Sequence, residues 1–495
     1  MSASLLSAGT RAADVLYPFA SPQIKIELAS ETGSAARAYT TGDRIEGTVT
    51  VTANHLISFD EVNIQLEGSQ AVLVERGMVP GRTGATQTFL RLRQPIEDSL
   101  YPMPRVLEPG RSYQFQFTFV IPQRLLPHIC SHHKANAHIH DSHTLLLPSL
   151  GDPVLSRDGR TALDDMSPDM TRVTYHIRAE VLQRPVVGPA KTLKLARQKI
   201  RIVPAVEEEP PLTVLDCDPV YCTRKEKDVR RGTLRPRQGR LVVAASQPKP
   251  LQMNSFPNKS SEPTSTAATI HLRFDPVGDE EPPSLGTVWS KLRVATYYSV
   301  RPWDNYPTAS VVSASDMSGQ GVYQEILPLS SRCVASAQWT KHGMDSLARR
   351  YSLQSASSAE SITGPSASWS GDNYYTASVV VPVSLPTNRA FVPTFHSCLI
   401  SRIYILEFCI SYHTPNMNII TPTVTLKVPI QLTSGQPGSV LAQSSEEITQ
   451  EEVDAEFFSP RTIAPPVMGS ASAPPDYAEY TSSLPSARPR EVRCS

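Results

Sequence analysis

Apolar residues recur along this chain at every second position, and a period of two suits few architectures. In QIKIEL, Ile24, Ile26 and Leu28 share one face while Lys25 and Glu27 occupy the other. The same alternation returns at Ile45, Val49 and Val51, at Val62, Ile64 and Leu66, and in AVLVE and FLRLR. It continues at Phe115, Phe117 and Phe119 and at Val173, Tyr175 and Ile177. Alternation marks half-buried strands, because successive side chains point to opposite faces of a sheet. The breaks carry turn residues such as Thr41-Gly42-Asp43 and Glu108-Pro109-Gly110. Almost no helical pattern separates the strands, which predicts antiparallel sandwiches in place of βαβ units.

Proline sharpens that expectation. The 44 prolines among 495 residues are nearly double ordinary usage, and proline is excluded from helix interiors and central strands. A length of 495 residues predicts two to three domains. Lys plus Arg and Asp plus Glu both total 47, so no basic footprint points to nucleic acid. The seven cysteines, at Cys130, Cys217, Cys222, Cys333, Cys398, Cys409 and Cys494, form neither a CxxC pair nor a disulfide framework. The N-terminal twenty residues lack the basic and apolar regions of a signal peptide, and no uncharged apolar run approaches the ~18 residues that span a bilayer. Cys494 stands second from the end, outside a prenylation box. A soluble, reduced, cytoplasmic protein is expected.

The domain plan follows from composition. A flexible N-terminus over 1–20 precedes a first β-sandwich over 21–206. The run Val206-Glu207-Glu208-Glu209-Pro210-Pro211 is extended and self-repelling, so 207–211 is expected to act as a hinge. A second sandwich over 212–434 is interrupted at about 304–373 by a Ser/Ala/Gly-rich insertion with little to bury. Residues 435–495 are rich in Pro, Ser, Glu and Ala and are expected to form a disordered tail.

The strand text resembles the arrestin-like family, in particular the fungal members of its α-arrestin branch. The stretches that carry the likeness are YTTGDRIEGTVTV, FDEVNIQLEG, FQFTFVIPQRLLPHIC and HDSHTLLLPSLGD, then LRFDP, LRVATYYSV and PTFHSCLISRIYILEFCI. They occur in family order from about Ile24 to Leu432. The resemblance implies an all-β chain of two immunoglobulin-like antiparallel β-sandwiches joined by a hinge. It also implies a non-enzymatic adaptor. The insertion at 304–373 departs from a minimal arrestin body.

The tail carries Pro474-Pro475-Asp476-Tyr477, a PPxY sequence. A polyproline II segment turns once in three residues, which puts Pro474 and Tyr477 on one face with Pro475 adjacent. Aromatic-lined WW grooves read such a segment, and Asp476 is the variable, outward position. In α-arrestins such sequences recruit HECT-type ubiquitin ligases, so the resemblance implies a WW-domain ligase as one partner. The cytosolic tails of plasma-membrane transporters or receptors are the other, with association to plasma membrane and endosomes through that cargo. A trafficking or signalling scaffold without a ligase is the alternative.

Three further features stand out in the sequence. Six histidines, His128, His132, His133, His138, His140 and His143, surround Cys130 within sixteen residues. Their spacing yields no four-ligand pattern, so a histidine-rich loop with no metal or cofactor is expected. Arg91 and Arg93 in FLRLR, with Lys199 and Arg201 in TLKLARQKIRI, face outward on strands and suggest a basic face for acidic or phosphorylated cargo tails. Arg349-Arg350-Tyr351-Ser352 matches a basophilic kinase site, with Ser352 as the acceptor and a phosphoserine-binding regulator as its reader. No GxSxG elbow, P-loop, HExxH or dinucleotide fingerprint occurs, so no catalytic residue is assigned.

Overall fold

The computed structural model describes residues 21–29, 38–75, 82–155, 162–185, 188–215, 218–230, 237–253, 264–308, 319–343, 364–366, 369, 373–414 and 421–435. The chain opens with strands β1 (Gln23–Leu28), β2 (Ala38–Tyr39), β3 (Arg44–Thr52), β4 (Ile57–Ser58) and β5 (Glu61–Glu75). β6 (Arg82–Gln94), β7 (Val106–Leu107) and β8 (Ser112–Val120) follow. A 3-10 turn (Pro127–Cys130) and helix α1 (Ala137–His143) lead to β9 (Val154–Leu155), β10 (Ala162–Leu163), β11 (Thr171–Gln183) and β12 (Lys191–Ile202). The second half contributes β13 (Arg224–Arg230), β14 (Arg237–Ala245), β15 (Leu251–Met253), β16 (Ser265–Pro276), β17 (Ser284–Ser299) and β18 (Gln320–Cys333). It closes with β19 (Thr340–Gly343), β20 (Asn373–Ser384), β21 (Phe395–His396), β22 (Ile400–His413), β23 (Thr423–Ile430) and β24 (Leu432–Ser434).

These strands form two sandwiches. In the first, the sheet β1-β3-β8 faces the sheet β2-β12-β11-β5-β6. Their inner faces meet through Ile45, Val49, Phe115 and Phe117 on one side and Ile64, Leu66, Tyr175 and Ile177 on the other. In the second, β13-β14-β16-β20-β19 faces β18-β17-β22-β21, with β23 also paired to β22. Leu241, Leu272 and Val381 there meet Leu292, Leu406 and Leu426. The pairings are antiparallel except for β2 on β12 and β15 on β24. The fold is therefore all-β, and β8 shows why: Tyr113, Phe115, Phe117 and Phe119 are buried while the residues between them are exposed. Only an extended chain with one face on a core separates side chains in that way.

The two cores are not independent. Tyr298, Val392, Phe395, Cys398, Leu399 and Ile400 of the second half lie in the first core, and Met166 of the first half lies in the second. Met166 adopts a positive φ of 57°, uncommon for a residue with a side chain. Residues 207–211 carry no strand. The Val206 N–H donates to the Ser434 carbonyl at 3.0 Å, and the Glu209 N–H donates to Gln431 Oε1 at 2.9 Å. The Gln431 side chain donates back to the Glu209 carbonyl at 2.9 Å.

The structure corrects three local expectations. Within 304–373, read as an insertion with little to bury, the described residues include β18, paired along β17, and β19, paired with β20. β18 is an edge strand whose only buried side chain is Leu327, so its apolar period is faint. Pro328 sits where the β17–β18 register shifts, a position that tolerates a missing N–H. Residues 137–143 form helix α1 in place of a loop or strand; Asn136 Oδ1 accepts from the Ile139 N–H at 3.1 Å and caps it.

Phe89, which strict alternation along FLRLR would turn outward with Arg91, is buried. A register shift opposite Gly68 and Ser69 gives β6 one extra residue, and the bulge turns the ring inward onto Tyr175 at 5.5 Å. Gly68 lies beneath both rings. A Cβ there would stand 2.7 Å from Phe89 Cε2 and 2.8 Å from Tyr175 Cε1. Tyr175 cannot retreat without breaking its 2.5 Å hydrogen bond to the Leu147 carbonyl. Gly68→Ala is therefore expected to destabilise the protein by about 1–3 kcal/mol, read from its denaturation midpoint. A midpoint equal to the parent's would show that the rings give way freely.

Candidate functional site

The basic residues singled out in the sequence share one outer sheet face, and its register shows what stands between them. Across four strands, one row reads Arg91, Glu67, His176, Lys199, and the next reads Arg93, Gln65, Arg178, Arg197. Arg201 lies two residues beyond Lys199 on β12. Acids lace this face. Glu67 pairs with Arg91 at 3.7 Å and with Arg178 at 3.2 Å, while Arg178 also reaches Glu180 at 3.0 Å. Arg93 pairs with Glu61, and Lys199 pairs with Asp152 at 2.5 Å. Burial, and then the flanking Arg197 and Lys199, lower the pKa of His176. Arg201 is likewise lowered by burial, with Asp165 and Asp152 acting the other way. The face is a network of mixed charge, and Arg91 and Lys199 mark opposite ends of a row with an acid inside it. Local alternation showed which residues face outward but not which cross-strand neighbours they meet.

The histidine-rich segment holds the more informative geometry. After β8, the 3-10 turn presents Cys130 inward, and α1 presents His143 from its last turn. From the second half, the turn between β21 and β22 brings Cys398 to the same point. Cys130 Sγ lies 3.3 Å from His132 Nε2 and 3.7 Å from His143 Nδ1. One ligating atom from each of Cys130, His132, His143 and Cys398 falls within 4.8 Å of the other three. Cys130, His143 and Cys398 are 1%, 2% and 3% exposed, whereas His132 sits at the rim. The expectation of no metal rested on a missing fourth ligand, and the fold supplies one. His138 and His140, the pair noticed in the sequence, take no part. His138 is exposed with its ring edge-on to Tyr306, and His140 stands beside Asp141 at 3.8 Å.

Buried hydrogen bonds hold both sides of this cluster. The Gln87 side chain donates to the Ile129 carbonyl at 2.9 Å and accepts from Gln70 at 2.8 Å. Gln70 in turn accepts from Ser397 Oγ at 2.7 Å. One amide chain thus runs from the residue before Cys130 to the residue before Cys398. Ser397 Oγ also accepts from the Ile400 N–H at 3.0 Å, and the Trp303 N–H donates to the Cys398 carbonyl at 2.9 Å. His132 Nδ1 lies 2.7 Å from the His133 carbonyl, which can only accept. The proton therefore sits on Nδ1, and the Nε2 lone pair faces the cluster. Burial, with His132 second among the causes, pushes His143 down to about 3. Burial, and then Cys130, push the Cys398 thiol up to about 12.

Pro474, Pro475, Tyr477 and Ser352 lie outside the described residues. Among the described residues no helix is long and apolar enough to cross a membrane. Cys398 is the residue that sequence reasoning passed over. Its only signal is a further cysteine in PTFHSCLIS, far along the chain from Cys130. Compared with models of known protein families the chain matches none, and no curated protein matches it.

Proposed function

We propose that this chain is an arrestin-like adaptor that brings a WW-domain HECT-type ubiquitin ligase to plasma-membrane transporters or receptors, promoting their ubiquitination and endocytosis. The observation that carries the reading is Pro474-Pro475-Asp476-Tyr477 following a body whose described regular structure is almost wholly strand. The family-like stretches support it as well: IEGTVTV falls on β3, FQFTFV on β8, LRVATYYS on β17 and ISRIYILEFCI on β22. On this reading the sandwiches engage the cargo tail and the PPxY segment holds the ligase. Tethering raises the ligase's effective concentration at lysines on the bound cargo, so each contact can be modest. The chain itself performs no chemistry. Proximity labelling in the native cell tests this, with intact protein beside a Tyr477→Ala variant. Membrane cargo should be labelled by both proteins and the ligase only by the intact one. Cargo labelling and turnover that survive unchanged in Tyr477→Ala would leave a sorting scaffold without a ligase arm.

A further inference from the structure

We propose that Cys130, His132, His143 and Cys398 bind one zinc ion in a closed structural site that clips the loop after β8 to the turn between β21 and β22. The inference concerns how the body is held together and does not depend on the adaptor reading.

The donor set and its spacing support zinc. In tetrahedral sites zinc lies about 2.3 Å from sulfur and 2.0–2.1 Å from nitrogen, which places neighbouring ligand atoms roughly 3.3–3.8 Å apart. The two separations at Cys130 Sγ, 3.3 and 3.7 Å, fall in that range. A shell within 4.8 Å closes by small side-chain rotations. Two thiolates around a dication make a neutral unit, the form least costly to bury. Lys134, whose Nζ donates to the Cys130 carbonyl at 2.6 Å, adds positive charge beside the sulfurs. The tautomer of His132 leaves Nε2 free to ligate, as a supporting carbonyl does at zinc sites generally.

Four protein ligands leave no position for water, so the site is structural in kind. Its rim residue, His132, gives the ion a way in. The rival arrangement is a Cys130–Cys398 disulfide. It would leave the inward imidazole nitrogens of His132 and His143 with no partner chemistry, whereas the zinc site uses all four groups.

The test is metal content of the full chain, purified under reducing conditions after expression with zinc. The parent should carry about one zinc per chain. Cys398→Ser and His132→Ala should lower that at least about ten-fold, while His132→Cys, which offers another zinc ligand, should restore it. His138→Ala/His140→Ala should retain the parent's zinc. If Cys398→Ser fails to fold, cobalt(II) substitution in the parent decides. A tetrahedral spectrum with thiolate-to-cobalt charge transfer is expected, and a spectrum without it overturns the proposal. A folded parent without zinc, an intact mass lighter by the two thiol hydrogens, zinc retained in Cys398→Ser, or zinc lost in the His138/His140 variant would each overturn it.

Discussion

Replacing Arg402 by methionine should cost about 2–4 kcal/mol of stability. Arg402 projects from β22 and is fully buried. Its guanidinium donates to the Asp165 carbonyl at 3.0 Å and to the Met166 carbonyl at 3.2 Å. It thereby fixes the loop whose Met166, at positive φ, sits in the second core. Methionine keeps much of the volume but leaves both carbonyls unpaired, at about 1–3 kcal/mol each. Loss of the guanidinium's own desolvation cost offsets part of that sum. Arg402→Lys should recover only a fraction, because an ammonium lacks the planar fork that reaches two acceptors. Chemical denaturation of the full chain provides the measurement. A midpoint for Arg402→Met equal to the parent's would show that the two halves are not held by this fork.

Tyr477→Ala should weaken binding of a residue 468–482 peptide to a purified WW domain by about 30-fold or more, the loss of a hot-spot anchor worth at least about 2 kcal/mol. On the adaptor reading the ring would fill a pocket next to the groove that would stack Pro474 and Pro475, so truncation would remove the largest apolar contact while the prolines remain. Asp476→Ala should change affinity little, since that side chain is expected to face away from the groove. The full-length Tyr477→Ala protein should melt with its parent, because the surrounding sequence has few aliphatic residues to bury. Equal affinity of the parent and Tyr477→Ala peptides would make the tetrapeptide a chance match, and the adaptor reading would lose its ligase arm. The zinc site would be untouched by that outcome, since its ligands belong to the body.

Much of the architecture was legible in the chain itself, and for a local reason. Alternation between adjacent residues states which face of a strand is buried, so Phe115, Phe117 and Phe119 declare their core side without knowledge of what they meet. The same locality explains the misreadings. The faint alternation of β18 reflects an edge strand with one mostly open face, and a one-residue bulge reversed the side on which Phe89 emerges. Neither an edge position nor a bulge is written in the residues that undergo it, because both depend on a partner strand.

The PPxY motif was readable because a polyproline segment is recognised by residues one turn apart, with no fold required. The Cys/His cluster was not. Cys130, His132 and His143 stand close in sequence, but Cys398 reaches them only because the β21–β22 turn enters the core of the first sandwich. The acids among Arg91, Arg93 and Lys199 were hidden in the same way, since Glu67 and Arg91 become neighbours only through the β5–β6 register. The sequence by itself determined most of the strands, most of their inward faces and the motif in the tail, all set by neighbours in the chain. Tertiary structure alone decided how the two halves interlock through Met166, Arg402 and Cys398, because pairing across so many intervening residues leaves no period in the sequence.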